Sequence, residues 1–212
     1  MKRVQRSLRL ATLIWLAAAT VGCDKAPEEL RDLGALPAWS FKTEQGVTVS
    51  DRSLAGKPWV ANFLFTSCPT SCPPLAQATA KLQSRIGLWR PSTGPRIISF
   101  TVDPVTDSAE VLRTFARKYG ADAKIWSFAR ADYAATDALV TRGFLQPLIR
   151  SDRRPDAPLT GVAATPTPID TAHSMRFVLV DGSGTMRALY DSDPHSLARL
   201  DKALRWLYEH PR

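Results

Sequence analysis

The sequence predicts a mixed α/β domain, and three features lead to this fold class. Between residues 59 and 142, apolar stretches of strand length alternate with amphipathic helical patterns, as in a sheet with connecting helices. A short hairpin pattern precedes this part, and a second hairpin and a final helix follow it. The 212 residues are enough for one domain with a sizeable core. We therefore expect a central mixed sheet flanked by helices.

The chain begins with a targeting pattern. Basic residues precede an apolar stretch, 10–21, which is shorter than an ordinary membrane span and is followed closely by Cys23. This arrangement resembles a bacterial lipoprotein signal. It predicts a signal peptide over residues 1–22, lipidation of Cys23, and a polar tether over residues 23–38. Thr20 departs from the pattern, which usually has an aliphatic residue there, so an uncleaved anchor or an ordinary signal peptide is the alternative.

Each of these alternatives places the remaining domain, 39–212, outside the cytoplasm, where disulfides form. Asp24 follows the lipidation site, and its resemblance to retained lipoproteins implies the periplasmic side of the bacterial inner membrane. Half of the formal charge of +8 comes from basic residues among the first ten, so the domain has only a mildly basic surface. This excludes a nucleic-acid footprint. The three cysteines also exclude a multi-disulfide scaffold.

The first elements of the domain are a hairpin and a buried strand. The hairpin is predicted over residues 39–50, with its turn at 44–46. Residues 51–58 are expected to form a loop. The apolar run 60–65 is rich in β-branched and aromatic residues, which favours a buried strand.

The prolines around the cysteines indicate where the first long helix starts. A helix beginning at Pro69 would contain Pro73 in its interior, where proline breaks a helix. We therefore expect the helix to begin near Cys72, with Ser71 or Thr70 as its cap. Its apolar face is formed by Leu75, Ala78, Leu82 and Ile86.

Two further strand-and-helix units follow. Residues 96–101 form a strand pattern, and Asp107 with Glu110 has the spacing of a capping box for the next helix. Gly120 is expected to end that helix. The remaining elements of this part are a short strand at 125–128 and a helix at 132–142.

A long loop, 145–171, precedes the last hairpin and has no clear period. A connection of this length in a compact domain is usually functional or mobile, and a solvated surface insertion is the alternative. The closing hairpin is predicted at 175–180 and 186–190. Asp193 is expected to cap the final helix.

Cys68 and Cys72 lie on the turn between the buried strand and the first long helix. This places Cys68 in the loop and Cys72 in the first helical turn. Unpaired N–H groups and the helix dipole favour a thiolate there. Two soft sulfurs on one short loop form a disulfide or bind one thiophilic metal ion. The alternative is that both are buried structural cysteines.

Histidine is scarce, which limits the candidate third ligand. His173 comes just before the last hairpin, so the strand that follows it would bring it towards the cysteines if that strand joins the same sheet. Two thiolates and one imidazole suit copper or zinc. His195 and His210 are expected to be ordinary exposed residues.

Three sequence blocks resemble the Sco/SenC family of copper proteins. Residues 65–73 (FTSCPTSCP) are similar to the family's FTxCPxxCP signature. Residues 101–104 (TVDP), followed by Asp107, resemble its second block. His173, followed by the stretch 177–181, resembles the third. The blocks occur in the family's order.

This resemblance covers residues 39–208 and implies a thioredoxin-like fold with one copper ion, Cu(I) or Cu(II), held by Cys68, Cys72 and His173. It also implies a role in maturing the CuA site of cytochrome c oxidase, by copper delivery or by reduction of the target's thiols. The implied partners are the copper-bearing oxidase subunit and other copper chaperones or thiol reductants, with a lipid anchor holding the protein to the membrane. The loop 145–171 carries no signature of the family.

A metal-independent thiol–disulfide oxidoreductase or redox sensor is the rival interpretation. Thioredoxins use a Cys-x-x-Cys spacing, which is one residue shorter than the spacing of Cys68 and Cys72. A peroxidase is disfavoured because no third block of that chemistry is present. A dithiol exchanger does not need His173, whereas a three-ligand copper site does. Asp103 is a candidate for orienting a ligand, and an ordinary turn aspartate is the alternative.

Overall fold

The computed structural model describes residues 25–89, 94–146 and 176–211. Its strands are β1 (Ser40–Thr43), β2 (Thr48–Ser50), β3 (Trp59–Leu64), β4 (Arg96–Thr101), β5 (Trp126–Arg130), β6 (Arg176–Val180) and β7 (Met186–Asp191). Its helices are α1 (Asp51–Leu54), α2 (Cys72–Trp89), α3 (Ala109–Lys118), α4 (Tyr133–Asp137), which continues into a π-helical turn (Ala138–Gly143), and α5 (Pro194–Glu209).

The described strands form one mixed sheet in the order β2-β1-β5-β4-β3-β6-β7. Strands β3, β4 and β5 are parallel, whereas β1, β6 and β7 pair antiparallel with their neighbours. The mixed sheet predicted from the sequence is therefore confirmed. Leu64 pairs with Thr101, so the chain leaves β3 and β4 at the same edge of the sheet. We call this the cysteine edge, because the loop after β3 carries Cys68.

Strand β3 lies inside the sheet between β4 and β6 and is buried along its whole length. Side chains on one of its faces join an aromatic cluster, in which Phe63 contacts Phe100 and Phe144 with ring centroids 5.9 and 5.0 Å away. On the other face, Asn62 donates a hydrogen bond of 2.9 Å to Thr79 of α2. Burial on both faces explains why this strand reads as a continuous apolar run in the sequence.

The two predicted hairpins and the start of the first long helix are confirmed. β1 pairs with β2, β6 pairs with β7, and α2 begins at Cys72. Gly120 follows α3 with φ of 66°, a conformation that glycine adopts without strain. The loop expected at 51–58 contains the short helix α1, which Ser50 caps by accepting a hydrogen bond from the Ser53 N–H. The helix expected at 132–142 is present, but its second half is a π-helical turn.

The capping box predicted at Asp107 and Glu110 is wrong. Ser108 is the cap of α3, and its side chain accepts a hydrogen bond from the Val111 N–H. Asp107 instead points into the protein and is fully buried. The reason is that the hydroxyls of Thr66 and Thr101, at the ends of two neighbouring strands, donate hydrogen bonds to its carboxylate.

The tether expected over residues 23–38 is also shorter than predicted, because the folded domain begins before residue 39. The backbone N–H groups of Arg31 and Leu33 donate to the carbonyls of Arg187 and Met186 at 2.9 and 3.0 Å. Three regularly spaced leucines of this segment pack against the core: Leu30, Leu33 and Leu36. An edge strand exposes unpaired backbone groups, and the segment covers those at the start of β7.

Several predictions concern residues outside the described part of the chain: the signal peptide 1–22, Cys23, His173 and most of the 145–171 loop. Within the described part, no helix has both the length and the apolar character needed to cross a bilayer.

Candidate functional site at the cysteine edge

The turn between β3 and α2 places both cysteines beside the start of the helix. The N–H of Cys68 donates to the carbonyl of Phe65 at 3.3 Å and so closes the turn after the strand. Cys72 is the first residue of α2. Both cysteines are free and buried, with exposed fractions of 8% and 3%. The sequence therefore located the pair correctly on the strand-to-helix turn.

The sulfur of Cys68 is surrounded by hydrogen-bond partners. It accepts a hydrogen bond of 3.3 Å from the Cys72 N–H and lies 3.2 Å from the hydroxyl oxygen of Ser71. The first N–H groups of a helix have no partner within the helix, so the sulfur satisfies one of them as a cap side chain would. Ser71, one of the two predicted caps, thus has its hydroxyl beside the sulfur.

The two cysteines differ sharply in acidity. Burial raises the pKa of Cys68, but hydrogen bonds from Ser71 and from the N–H groups of Cys72 and Thr70 outweigh it and lower the pKa from 9.0 to about 7. Burial raises the pKa of Cys72 to about 12, and the neighbouring Cys68 sulfur adds to the rise, against a hydrogen bond from the Phe65 N–H. Near neutral pH about half of the Cys68 thiol is therefore ionised, whereas the thiol of Cys72 stays protonated.

This asymmetry bears on the alternative that both are inert structural cysteines. The burial that this alternative requires is present. However, an apolar environment raises a thiol's pKa, whereas that of Cys68 is lowered. A stabilised thiolate beside a second sulfur is suited to disulfide exchange and to binding a soft metal ion.

Asp107 lies at the site, although the sequence pattern assigned it only to a helix cap and to the second family block. Its carboxylate accepts hydrogen bonds of 2.5 Å from the hydroxyls of Thr66 and Thr101. The Thr66 N–H also lies 3.2 Å from each of its oxygens. Burial raises the pKa of Asp107, while the bonds from Thr101 and Thr66 oppose the rise. The sequence did contain a signal for this contact, because Thr66 comes just after the strand β3 and Thr101 is the last residue of β4. The two strands are parallel, so their carboxyl ends meet at one edge of the sheet.

Asp103 occupies the loop after β4 and is half-buried. Its carboxylate accepts a hydrogen bond of 3.2 Å from the Thr106 N–H, and its own N–H donates to the Thr101 hydroxyl at 3.1 Å. These contacts are those of a turn aspartate, the second of the two roles considered for it. Its role in orienting a ligand stays a prediction.

The described residues supply two of the three predicted metal ligands. They contain no group of three or more histidine, cysteine, aspartate or glutamate side chains placed to hold a metal ion. His173 lies outside them, whereas His195 and His210 are exposed, as predicted. The chemistry of the two sulfurs suits copper, because thiolates favour cuprous ions.

Comparison with known proteins identifies relatives of this chain. A model of the SCO1/SenC family matches residues 30–208. A SCO1 protein homolog from Bacillus subtilis (strain 168) is 39% identical over 90 residues, which are 42% of this chain and 46% of the relative. The alignment thus spans less than half the length of that relative.

Solved structures share the fold. A SCO1/SenC family lipoprotein from Bacillus anthracis str. Ames superposes with a TM-score of 0.65 and 24% identity, covering 84% of this chain and 97% of its own. BsSco is described as a member of the Sco family of cytochrome c oxidase assembly proteins with a disulfide switch. It superposes with a TM-score of 0.61 and 24% identity, covering 83% of this chain and 97% of its own. Bradyrhizobium japonicum ScoI with copper bound superposes with a TM-score of 0.60 and 17% identity, covering 82% of this chain and 100% of its own.

These similarities confirm the thioredoxin-like fold that the sequence blocks implied. The family match extends over most of the chain and begins at Leu30, the first of the leucines that pack against the core. The chain belongs to the SCO1/SenC family.

Proposed function

We propose that this protein binds one copper ion through Cys68, Cys72 and His173 and acts in maturing the CuA site of cytochrome c oxidase. The observation that carries the proposal is the arrangement of the two cysteines at the start of α2: the sulfur of Cys68 accepts the Cys72 N–H at 3.3 Å and lies 3.2 Å from the Ser71 hydroxyl oxygen. These contacts lower the pKa of Cys68 to about 7 and so favour its thiolate. Metal binding requires deprotonated sulfur, and a pKa of about 7 lets Cys68 lose its proton readily near neutral pH. The similar ScoI protein with copper bound supports this choice of metal.

The donor set suits either oxidation state of copper. Two thiolates favour Cu(I), and an imidazole also accommodates Cu(II). The topology supports His173 as the third ligand, because β6 runs antiparallel to β3 and its first residue, Arg176, therefore lies towards the cysteine edge. With three protein ligands, a fourth position is left for exchange with a partner.

The maturation step takes one of two forms. In the first, the cysteines pass copper to sulfur and nitrogen ligands of the oxidase subunit. In the second, the Cys68 thiolate attacks a disulfide of the target and forms a mixed disulfide. Cys72 then loses its proton and displaces the target thiolate, so the target gains two electrons and this protein becomes the disulfide. The likeness to BsSco, described among oxidase assembly proteins, supports the oxidase as the destination.

We further propose that Cys23 carries a lipid that holds the domain on the periplasmic side of the inner membrane. The support is the signal-like pattern of residues 1–22 and the likeness to a protein described as a lipoprotein. The partners would then be the copper-bearing oxidase subunit, other copper chaperones, and thiol reductants on the same side of the membrane.

A metal-independent thiol–disulfide oxidoreductase or redox sensor is the second candidate. The observation that favours it is the unequal pair itself, since a thiolate next to a protonated thiol is also what disulfide exchange requires. The two functions differ at His173, which this candidate does not use.

Metal analysis of the reduced protein separates the two candidates. Purified protein in detergent is loaded with copper, desalted, and assayed for bound metal, as wild type, H173A and the matched control H195A. We expect one copper per chain in wild type and H195A, and a loss of Cu(II) in H173A. A reduced wild-type protein that retains no copper would refute the copper proposal and leave the oxidoreductase.

A further inference from the structure

The buried carboxylate of Asp107 lies between the ends of two strands at the cysteine edge. Thr101, the last residue of β4, donates its hydroxyl to one oxygen, and Thr66, just after β3, donates its hydroxyl to the other. The side chain has no exposed surface. Among the described residues, none of the ion pairs involves it, so neutral donors supply the hydrogen bonds that a buried carboxylate needs.

Asp107 contacts the backbone at Thr66, which lies directly before the turn that carries Cys68 and Cys72. The Thr66 N–H lies 3.2 Å from each carboxylate oxygen, which fixes the peptide between Phe65 and Thr66. The carbonyl of Phe65 accepts the Cys68 N–H at 3.3 Å, and the sulfur of Cys68 in turn accepts the Cys72 N–H at 3.3 Å. A shift of this peptide would therefore move the acceptor of the Cys68 N–H and, through the sulfur of Cys68, the contact with the Cys72 N–H.

We propose that Asp107 is the positioning residue of the cysteine pair: by clamping the backbone at Thr66 to the end of β4, it holds the reduced loop in the geometry that binds metal. This inference rests on the proposed copper function and adds a residue to it. Asp107 does not touch either sulfur in the described contacts, so it acts through Thr66. Substitution of Asp107 therefore changes the metal affinity and the thiol–disulfide equilibrium of the cysteine pair more than it changes the fold.

An amide at this position cannot replace the carboxylate. The carboxylate accepts from three donors, namely the Thr66 N–H, the Thr66 hydroxyl and the Thr101 hydroxyl. An asparagine has one acceptor oxygen, and its NH2 group would face a donor. D107N therefore leaves at least one donor unpaired. T66V is a milder variant, because it removes one hydroxyl and keeps the backbone N–H.

D181N is the matched control. Asp181 is also buried, at 4% exposure, and its carboxylate accepts hydrogen bonds from Ser183 and Thr185. It lies in the turn after β6, at the opposite edge of the sheet, because Val180 pairs with Trp59 at the start of β3. A loss of stability alone would affect both aspartate variants, whereas positioning concerns Asp107 alone.

The test measures the equilibrium of the cysteine pair with glutathione and the Cu(I) affinity of the reduced full-length protein, by competition with a chromophoric chelator. We expect D107N to shift the thiol–disulfide equilibrium towards the disulfide at least tenfold, which corresponds to about 30 mV, and to weaken Cu(I) binding at least tenfold. T66V should move both quantities in the same direction by a smaller factor, and D181N should leave both within threefold of wild type.

A shift below threefold in both quantities for D107N would overturn the inference, as would an equal shift in D181N. If D107N does not fold, T66V decides in its place: a shift larger than that of D181N supports positioning, and an equal or smaller one overturns it. A wild-type protein that binds no copper refutes the proposed function instead, while the glutathione equilibrium still tests the role of Asp107.

Discussion

The hydroxyl oxygen of Ser71 lies 3.2 Å from the sulfur of Cys68, within a turn that also directs the Cys72 N–H at that sulfur. A hydrogen bond to the charged form of a group favours that form, and this one helps to lower the pKa of Cys68 to about 7 although burial alone would raise it. The relationship links a local sequence feature to the chemistry of the site, and it can be tested by substitution.

Alkylation should distinguish the two cysteines by pH. With a pKa of about 7, Cys68 is about half thiolate at neutral pH, whereas Cys72, with a pKa of about 12, stays protonated. We expect the rate of Cys68 modification to rise through pH 7, and S71A to move that midpoint upwards by roughly 1–2 pH units, the equivalent of one charged hydrogen bond. Mass spectrometry of iodoacetamide-treated protein measures it.

The matched control for S71A is S84A, which removes an exposed serine hydroxyl of α2 that donates to the Ala80 carbonyl. It should leave the midpoint of Cys68 unchanged. A wild-type midpoint near 9, or the same midpoint in S71A, would contradict this account of the acidity.

Copper binding and the disulfide should exclude each other. A pair of cysteines cannot be a disulfide and two copper ligands at once, because binding requires reduced sulfur. We expect oxidation of Cys68 and Cys72 to abolish copper binding, and C68S or C72S to abolish tight binding. H173A should keep weak Cu(I) binding through two sulfurs and lose Cu(II). Titration followed by thiolate-to-copper absorption measures each case, and undiminished binding by the oxidised protein would show that the thiols are not the site.

The N-terminal segment should contribute to the stability of the domain. Leu30, Leu33 and Leu36 pack against the core, and the backbone of this segment bonds the start of β7. Replacing all three leucines by alanine should lower the free energy of unfolding by about 2–4 kcal/mol, given that each is partly buried. Urea unfolding measures the change.

The control for this variant is V47A, since Val47 is 61% exposed and its truncation removes little buried surface. An unchanged midpoint in the triple variant would mean that the segment is a free tether after all. The cysteine pair should keep its pKa difference in either case, because the segment lies along β7 and away from the loop after β3.

Lipidation of Cys23 is a separate prediction, motivated by the apolar stretch that precedes it. Mass spectrometry of protein extracted from membranes should find a diacylglycerol group on an N-terminal Cys23. Acyl chains contribute about 0.8 kcal/mol for each buried methylene group, so such an anchor would hold the domain at the membrane surface. Detection of Met1 or of a free Cys23 thiol would refute it, and C23A should release the protein into the soluble fraction.

Features that depend on neighbouring residues were predictable from the sequence. The run of apolar residues before Cys68, the prolines around it and the apolar stripe after Cys72 together specify a strand, a turn and a helix start. The hairpins and the Asp193 cap were predicted for the same reason, since turn and capping chemistry is contained within a few residues. The Sco/SenC blocks likewise occur in the linear chain, within the residues 30–208 that the family model matches.

Only the tertiary structure decided which residues serve the site from a distance. Asp107 has the local spacing of a capping residue, but it lies 41 positions from Thr66 and becomes its partner only because β3 and β4 pair in parallel. The leucines before residue 39 similarly look like part of a polar tether until β7 provides an edge for them to cover. Hydrogen bonding to a buried carboxylate and packing against a sheet edge are long-range effects, and they outweighed the local preferences that the sequence displays.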